Sequence, residues 1–419
     1  MKRRLQYDVV IAGGGVAGIA AAVGASGAGA RTLVIERNPY LGGDATHSNV
    51  TAYCGFYTTG ETPVKVVGGA GDEMLEQLSA LGQDTSYEIS PNGNPTIKFE
   101  PEYMKLAADS LLSQYGIDVL FHSQIIGASQ AEGRIHEVIC VDDEGEFRVT
   151  ANSFVDATGD ANLAFLARAE TVWGNGRGEA QVASLVMRID HIGEDADLSP
   201  EAVRKAVQKA KADEDQYLTK ETGVIIRRTG WDFGYVLLPS SKLSELSAAE
   251  LSRAEMDTRR QAHAYLEAFR RYLKGMENCR ITASGPALGI REGRKVTAKY
   301  QLTAEDVLTA RKRTDGIGRG AWKPEIHRDL TEMGQYFSLE GDSYYDIPYG
   351  MLCSSSFENL YAAGRNVCAD EIAFASVRVM GSAFVTGQAA GVAAALTGTG
   401  GNPDIVRVRQ ELMKQNVIL

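Results

Sequence analysis

The sequence predicts an α/β fold, a doubly wound and mostly parallel sheet interrupted by an inserted α+β segment. Three observations lead to it. Residues 7 to 36, YDVVIAGGGVAGIAAAVGASGAGARTLVIE, read as strand, glycine turn, helix, strand. A second buried strand, Phe154 to Ala157, ends in the tight turn Thr158-Gly159-Asp160. From Arg168 to about Ser284 the sequence changes to strands and charged helices, and glycine-rich sequence then returns.

Tyr7 to Ala12 is an apolar run rich in Val and Ile, as expected of a strand buried on both faces. Gly13, Gly15 and Gly18 then give G-x-G-x-x-G where strand passes into helix. The first glycine allows the tight turn, the second lets a pyrophosphate approach, and the third lets helix and strand pack closely. Ala22 and Gly29 keep that helix thin on its sheet side. The second strand, Thr32 to Ile35, ends in Glu36, twenty-three residues after Gly13. A carboxylate there accepts hydrogen bonds from ribose hydroxyls and repels a 2′-phosphate. All these parts fall in register, so the unit is read as a Rossmann-type dinucleotide site. The motif alone does not choose between FAD and NAD.

Length and charge bound the rest. A chain of 419 residues is long enough for two domains, or for one large domain with an insertion. A net charge of −11 argues against nucleic acid or anionic membrane as partners. Cys54, Cys140, Cys279, Cys353 and Cys368 are scattered and never spaced C-x-x-C, which gives neither a disulfide framework nor a metal site. The basic start followed by an apolar run is explained by the glycine register, so no targeting segment is read and a cytoplasmic location is expected.

After Glu36 comes RNPYLGGDATHSNVTAYCGFYTTG, a polar loop of small residues with Gly42 and Gly43 near its start. In flavoproteins such a loop runs past the pyrophosphate toward the ring, whereas NAD dehydrogenases usually continue with a helix. This favours FAD. His47 and Cys54 are the reactive side chains of the loop. They serve either as a hydrogen-bonding His and a packed Cys or as a covalent attachment point, and non-covalent FAD is the expectation.

Helical spacing predicts a helix over 71–81, a hairpin follows with Asn92-Gly93 at its tip, and Glu100-Pro101 opens a helix ended by Gly116. Residues 118 to 160 are strand-rich, with turns at Glu132-Gly133 and Asp143-Glu144-Gly145. Ligands in doubly wound sheets sit outside the carboxyl ends of strands, where the 158–160 turn would meet a long, extended FAD. Residues 168 to 344 are read as a substrate or cap domain between FAD-binding segments 1–167 and 345–419, with 285–306 at the junction. Its strands lie in 181–190 and 224–239, and its helices in 200–213 and 243–276. Trp231, Phe233 and Tyr235 are candidates for either pocket wall or core. Residues 375 to 396 are long and apolar enough to be weighed as a membrane span. Arg378, Ser382, Thr386 and Gln388 interrupt the stretch, and Gly381, Gly387 and Gly391 mark it as a buried helix instead.

Together these pieces resemble the FAD-dependent oxidoreductase family, a branch of the glutathione-reductase-type flavoproteins. The resemblance covers nearly the whole chain. It is carried best by GPALGIREGRKVTAKYQLTAEDV (285–307), IPYGML (347–352) and ENLYAAGRNVCADEIAFASVRVMGSAFVTGQAAGVAAAL (358–396). The family typically reads R-E-S-R where this chain has Arg291-Glu292-Gly293-Arg294. The resemblance implies FAD held by Gly13, Gly15, Gly18, Glu36, Gly42 and Gly43. Gln124 and Ile125 would lie at the adenine, Ala157, Thr158 and Gly159 at the adenosine side, and Gly364 and Asp370 near the pyrophosphate and ribityl chain. The same set takes in Val16, Ala17, Arg37, Asp44, Ala45, Thr46, Arg365, Val379, Met380 and Ala383. The helix after Val379 would aim its amino end at the flavin pyrimidine, where reduced flavin carries negative charge.

Disulfide reductases of that class carry paired cysteines soon after the ribose-binding acid, and this chain has only Cys54 there. No second G-x-G-x-x-G stands in strand–helix context, so dioxygen, a quinone or a carrier protein is the expected electron acceptor. The expected activity is a dehydrogenase or oxidase taking hydride from a small polar or anionic molecule onto flavin N5. A reductase in the opposite direction and a tRNA-modifying flavoprotein are the alternatives. Arg291 and Arg378 are the catalytic candidates. With Arg294, they either clamp a substrate carboxylate or tie the cap to the FAD-binding segments.

Overall fold

The chain is described here by a computed structural model covering residues 3–90, 93–213, 216–228, 230–331, 334–397 and 401–419. Val9, Val10, Ile11 and Ala12 are fully buried, as a strand with neighbours on both sides requires. That strand, β1 (Arg3–Ala12), pairs in parallel with β2 (Thr32–Ile35) on one side and with Gly145–Asp156 on the other. Asp118–Leu120 extends the sheet beyond β2, also in parallel. On the far side Arg134–Asp142 and Gln124–Ala131 form an antiparallel meander, completing a seven-stranded sheet with Leu360–Ala362.

Gly145–Asp156 is the hinge of this topology. Its first half, Gly145 to Thr150, pairs with the meander, and its last three residues pair in parallel with Leu360–Ala362. The strand expected over Phe154 to Ala157 is therefore the end of one long strand serving two partners. Its carboxyl end brings Ala157 to Asp160 beside the end of β1.

Helix α1 (Val16–Gly27) lies against Met380–Leu396 with almost no side chain between them. A Cβ on Gly387 would overlap the Ala17 carbonyl, one on Gly391 the Ala21 carbonyl, and one on Gly24 the Gln388 carbonyl. The stretch 375–396, expected to be one helix, is two. Glu371–Val377 and Met380–Leu396 meet at a bend of 90°. Val379 is extended there, with φ −71° and ψ 158°, and Gly381 presses on the backbone of Cys54 and Gly55. Among the described residues no single helix is long and apolar enough to cross a membrane.

A second apolar cluster gathers residues 183 to 288. It lies under an antiparallel sheet ordered Ile225–Ile226, Phe233–Val236, Met187–Asp190, Arg280–Ser284. Helices Pro200–Ala212 and Ala248–Tyr272 cover it, started by Ser199 and Ser247, whose hydroxyls accept the Ala202 and Glu250 amides. Val296, Leu302, Val307, Ile317 and Leu339 instead pack into the first core with β1 and α1. Glu88–Ile89 and Pro95–Lys98 pair as the expected hairpin, and Asn92 at its tip lies outside the described residues.

The helix contact sets a test. Gly to Ala inside a helix ordinarily gains about 1 kcal/mol. Gly391→Ala is expected to lose about 1–2 kcal/mol net, because overpacking against a rigid carbonyl costs more than propensity returns. Urea denaturation checks this, and a stabilised variant would show the helices free to separate.

Candidate active site

Gly13 turns the chain out of β1 with φ +97°, and a Cβ there would stand 2.7 Å from the Ala157 carbonyl oxygen. Gly42 N donates to Gly14 O at 2.9 Å, so the post-β2 loop doubles back beside the glycine turn. A Cβ on Gly43 would come within 2.8 Å of the Gly15 Cα. The amino end of α1 has no side-chain cap and leaves its amides to a ligand. Glu36 is buried and anchored, accepting Gly14 N at 2.7 Å and Asn38 N at 2.8 Å.

These pieces frame a cleft of about 620 Å³. Of the residues predicted to hold a dinucleotide, it is lined by Gly13, Gly15, Val16, Ala17, Glu36, Arg37, Gly42, Gly43, Asp44, Gln124, Ile125, Ala157, Thr158, Gly159, Gly364, Arg365, Met380 and Ala383. Five others lie off it. Gly18 abuts the Gly13 carbonyl, as its packing role requires, and Ala45 and Thr46 are buried behind the loop, Thr46 donating to Leu41 O at 2.7 Å. Val379 packs on Gly55. Asp370 caps Glu371–Val377 through Ala373 N at 2.9 Å, holds Ala304 N at 2.6 Å, and borders a separate cavity of about 310 Å³.

The cleft floor has a charged brace that the sequence reading missed. Arg365 pairs with Asp44 at 3.0 Å and Asp160 at 3.2 Å. Burial pulls its pKa down, but the two carboxylates raise it more, so it stays charged. Asp156 is fully buried and accepts Ala164 N, Thr158 Oγ1 and Asn366 Nδ2, which fixes the Thr158-Gly159 turn. Gly293 fits because a Cβ there would strike Asp160. The serine typical of the family at this position would collide with the brace.

Beyond the bend at Arg378 lies a polar cluster of Glu325, His327 and Tyr336. Arg378 also borders the cleft, and its Nη2 donates to Glu325 O at 3.0 Å while its buried Nε has no partner. The Glu325 carboxylate faces His327 Nε2 at 3.1 Å and the Tyr336 hydroxyl at 2.5 Å. Burial raises the Glu325 pKa, but His327, Arg378 and Tyr336 bring it down to about 2. Burial, with Arg291 nearby, pushes His327 down to about 4 against the pull of Glu325, so it is neutral near pH 7.

Arg291 does not border the cleft. Its Nη1 donates to Val182 O at 2.6 Å and Ser184 Oγ at 2.8 Å, and Val182 N bonds His327 O at 2.9 Å. Glu292 and Asp370, near these arginines in sequence, are engaged elsewhere, Glu292 with Lys295 at 3.0 Å and Asp370 as a helix cap. Arg294 borders the cleft and donates from Nε to Asp160 O and from Nη2 to Asn162 Oδ1. Trp231, Phe233 and Tyr235 do not line the cleft. Trp231 stacks on Phe233 at 4.4 Å and the Arg188 guanidinium covers Phe233 at 3.8 Å.

The FAD dependent oxidoreductase family model matches residues 8–414. The chain belongs to that family. FAD is therefore the cofactor of this oxidoreductase. It is 29% identical over 171 residues to a thiamine thiazole synthase from Aeropyrum pernix, an alignment spanning 38% of this chain and 57% of that relative. Among solved structures it is similar to a geranylgeranyl bacteriochlorophyll reductase-like protein of Thermoplasma acidophilum, at 14% identity and a TM-score of 0.44 over 98% of this chain and 82% of that one. The myxobacterial chondrochloren halogenase CndH aligns at 12% identity and a TM-score of 0.43, covering 98% and 79% of the two chains.

The residues present fit the cofactor. The facing Gly15 and Gly43 make a cradle that side chains would fill, and the uncapped α1 amides and anchored Glu36 supply donors and acceptor. His47 borders the cleft with Nδ1 2.8 Å from the Tyr40 hydroxyl. Cys54 lies off the cleft, and burial pushes its thiol up to about 12, away from the reactive thiolate. Glu325, His327 and Tyr336 carry no local signature that separates them from ordinary polar loop residues.

Two outcomes follow for the oxidoreductase. Acid precipitation is expected to release all the flavin as FAD into the supernatant, and a yellow pellet would show covalent attachment. Gly15→Val should cut FAD content at least about tenfold by closing the pyrophosphate path. Gly15 has an ordinary φ of −70° and 3.6 Å of room, so the apoprotein melting temperature should hold.

Proposed function

We propose that this FAD-dependent oxidoreductase is a dehydrogenase or oxidase acting on a small organic anion, in a fold of the glutathione-reductase type. The meander beside the parallel strands supports that fold subtype. Bound FAD would supply a two-electron acceptor for hydride at N5. Arg378 carries the reading: it borders the cleft, donates to the Glu325 carbonyl, and its Nε is buried with no partner among the described residues. Trp322 Nε1 and Gln181 Nε2 are buried and unpaired as well, and Gln181 Oε1 holds His327 N. All three orphaned atoms are donors, and buried donors are almost always satisfied. An acceptor-bearing ligand in the cleft would satisfy the Arg378 Nε.

In this reading Arg378 orients the substrate anion, and Arg291 reinforces it from the Val182 side. Glu325 holds His327 through Nε2, which leaves Nδ1 as acceptor for a substrate proton. Ser382, buried and unpaired one turn into Met380–Leu396, and the open amides of that helix end favour negative charge where the helix meets the cleft.

A charge-assisted contact from a buried Arg is worth about 1.5–3 kcal/mol, so its loss should weaken substrate capture roughly tenfold or more. The test is Arg378→Ala and Arg378→Lys, with anaerobic bleaching of flavin by amino acids, hydroxy acids and sugars as the assay. Both variants should keep FAD and melting temperature yet bleach slowly, Lys failing because it lacks the planar fork. Bleaching at the wild-type rate, or by neutral sugars alone, would place the substrate elsewhere.

A further inference from the structure

The cofactor cleft is not built from the dinucleotide-binding sheet alone. Leu251, Glu255, Ala287, Leu288 and Ile290 border it as well, and none of them was expected at the cofactor. Leu251 and Glu255 stand one turn apart on Ala248–Tyr272, so they share a face of that helix. Leu288 is buried in the second apolar cluster, with Leu251 and Ile290 packed against it. The second cluster therefore supplies a wall to a cleft whose glycine turns belong to the first core.

Loop 285–290 is wedged between the two. Gly285 N donates to Val186 O at 2.9 Å, and Gly289 and Ser184 exchange backbone hydrogen bonds of 2.9 and 3.0 Å. Ala287 N reaches the other way, to His47 O at 3.1 Å, and a Cβ on Gly285 would stand 2.9 Å from the Ser48 carbonyl carbon. His47 and Ser48 themselves border the cleft. Leu288 N, between these anchors, donates to a side chain instead, Glu255 Oε1 at 2.7 Å. The other oxygen of that carboxylate pairs with Arg259 at 3.1 Å.

A carboxylate bordering a cleft for an anionic pyrophosphate opposes that ligand unless its charge is engaged elsewhere. Glu255 has engaged it on an amide and a guanidinium. Leu288 is 5% exposed, so without this acceptor its N–H would be a buried donor left unsatisfied. We propose that Glu255 is a positioning residue of the FAD site: by holding Leu288 N it seats loop 285–290 against His47 and Ser48 as a wall that retains the cofactor. Glu255 acts through the loop, and FAD leaves when the loop lifts from that bond. The inference rests on the cofactor and the cleft, and is independent of the substrate reading of Arg378.

Dilution of FAD-loaded protein, with release followed by the rise of free-flavin fluorescence, tests this. Glu255→Ala should release FAD about tenfold faster, the scale of one hydrogen bond to a charged group. Glu255→Gln keeps an acceptor for Leu288 N and should stay within about threefold of wild type. A merely structural role would lower the melting temperature of FAD-loaded and FAD-stripped protein alike, whereas the gap between the two should narrow in Glu255→Ala. In the wild type, amides of loop 285–290 should exchange hydrogen more slowly with FAD bound than without it. Unchanged release from Glu255→Ala overturns the proposal, as does release from Glu255→Gln as fast as from Glu255→Ala. Tighter retention in Glu255→Gln would show that the charge opposes the cofactor, and loop exchange indifferent to FAD would show that the loop is no wall; either result defeats it.

Discussion

Everything at this site depends on two helices approaching until their backbones touch. α1 and Met380–Leu396 meet through Gly24, Gly387 and Gly391, each opposite a carbonyl that a methyl group would overlap. Close-packed interiors transmit such constraints, because no void exists to absorb a displacement. Gly364 N donates to Thr386 Oγ1 at 3.1 Å, which ties the end of Leu360–Ala362 to the same helix. The amino ends of both helices consequently open on one cleft. Either alone would offer a weak anion site, and the pair frames a site long enough for an extended dinucleotide.

The bend at Arg378 follows from the same contact. Gly381 lies against the Cys54 and Gly55 backbone, so Met380–Leu396 starts where that loop allows it to. Asp370 caps the preceding short helix on an independent axis. The ninety-degree turn between them sets the arginine at the junction on the cleft edge and against the Glu325 carbonyl together. A continuous helix would have aimed that side chain from a regular turn and left the amino-terminal amides internally bonded.

The dinucleotide cleft was largely legible in the sequence because its parts are local. A glycine register, a strand-terminal Glu36 and the Thr158-Gly159 turn each announce themselves within a few residues, and each borders the cleft. The bend was not legible, because the apolar run through 375–396 has no proline and its break is imposed by Gly55, more than three hundred residues earlier. The family resemblance placed Asp370 near the pyrophosphate and ribityl chain, yet its carboxylate is taken by two backbone amides. The polar cluster was invisible for a related reason. His327 sits in PEIHRD, a charged stretch like many surface loops, and only tertiary packing brings it half-buried against Glu325.

Donor saturation separates the arginines that sequence position could not. Arg294 uses two of its nitrogens on Asp160 O and Asn162 Oδ1 and lays its guanidinium 4.3 Å over Phe165. Arg365 faces two carboxylates, so its charge is balanced inside the fold. Of the two, Arg365 has its charge balanced without a ligand. Arg378 reaches one carbonyl and retains a buried, unpaired Nε, and Arg291 spends one nitrogen on neutral oxygens. Neither forms a direct ion pair among the described residues, and Glu325, the carboxylate nearest in effect, is already held by His327 and Tyr336. A guanidinium in low dielectric without an opposing carboxylate is stable only if something else supplies the charge. The cleft carries that vacancy to its own edge at Arg378, which is where an anionic substrate would meet the cofactor.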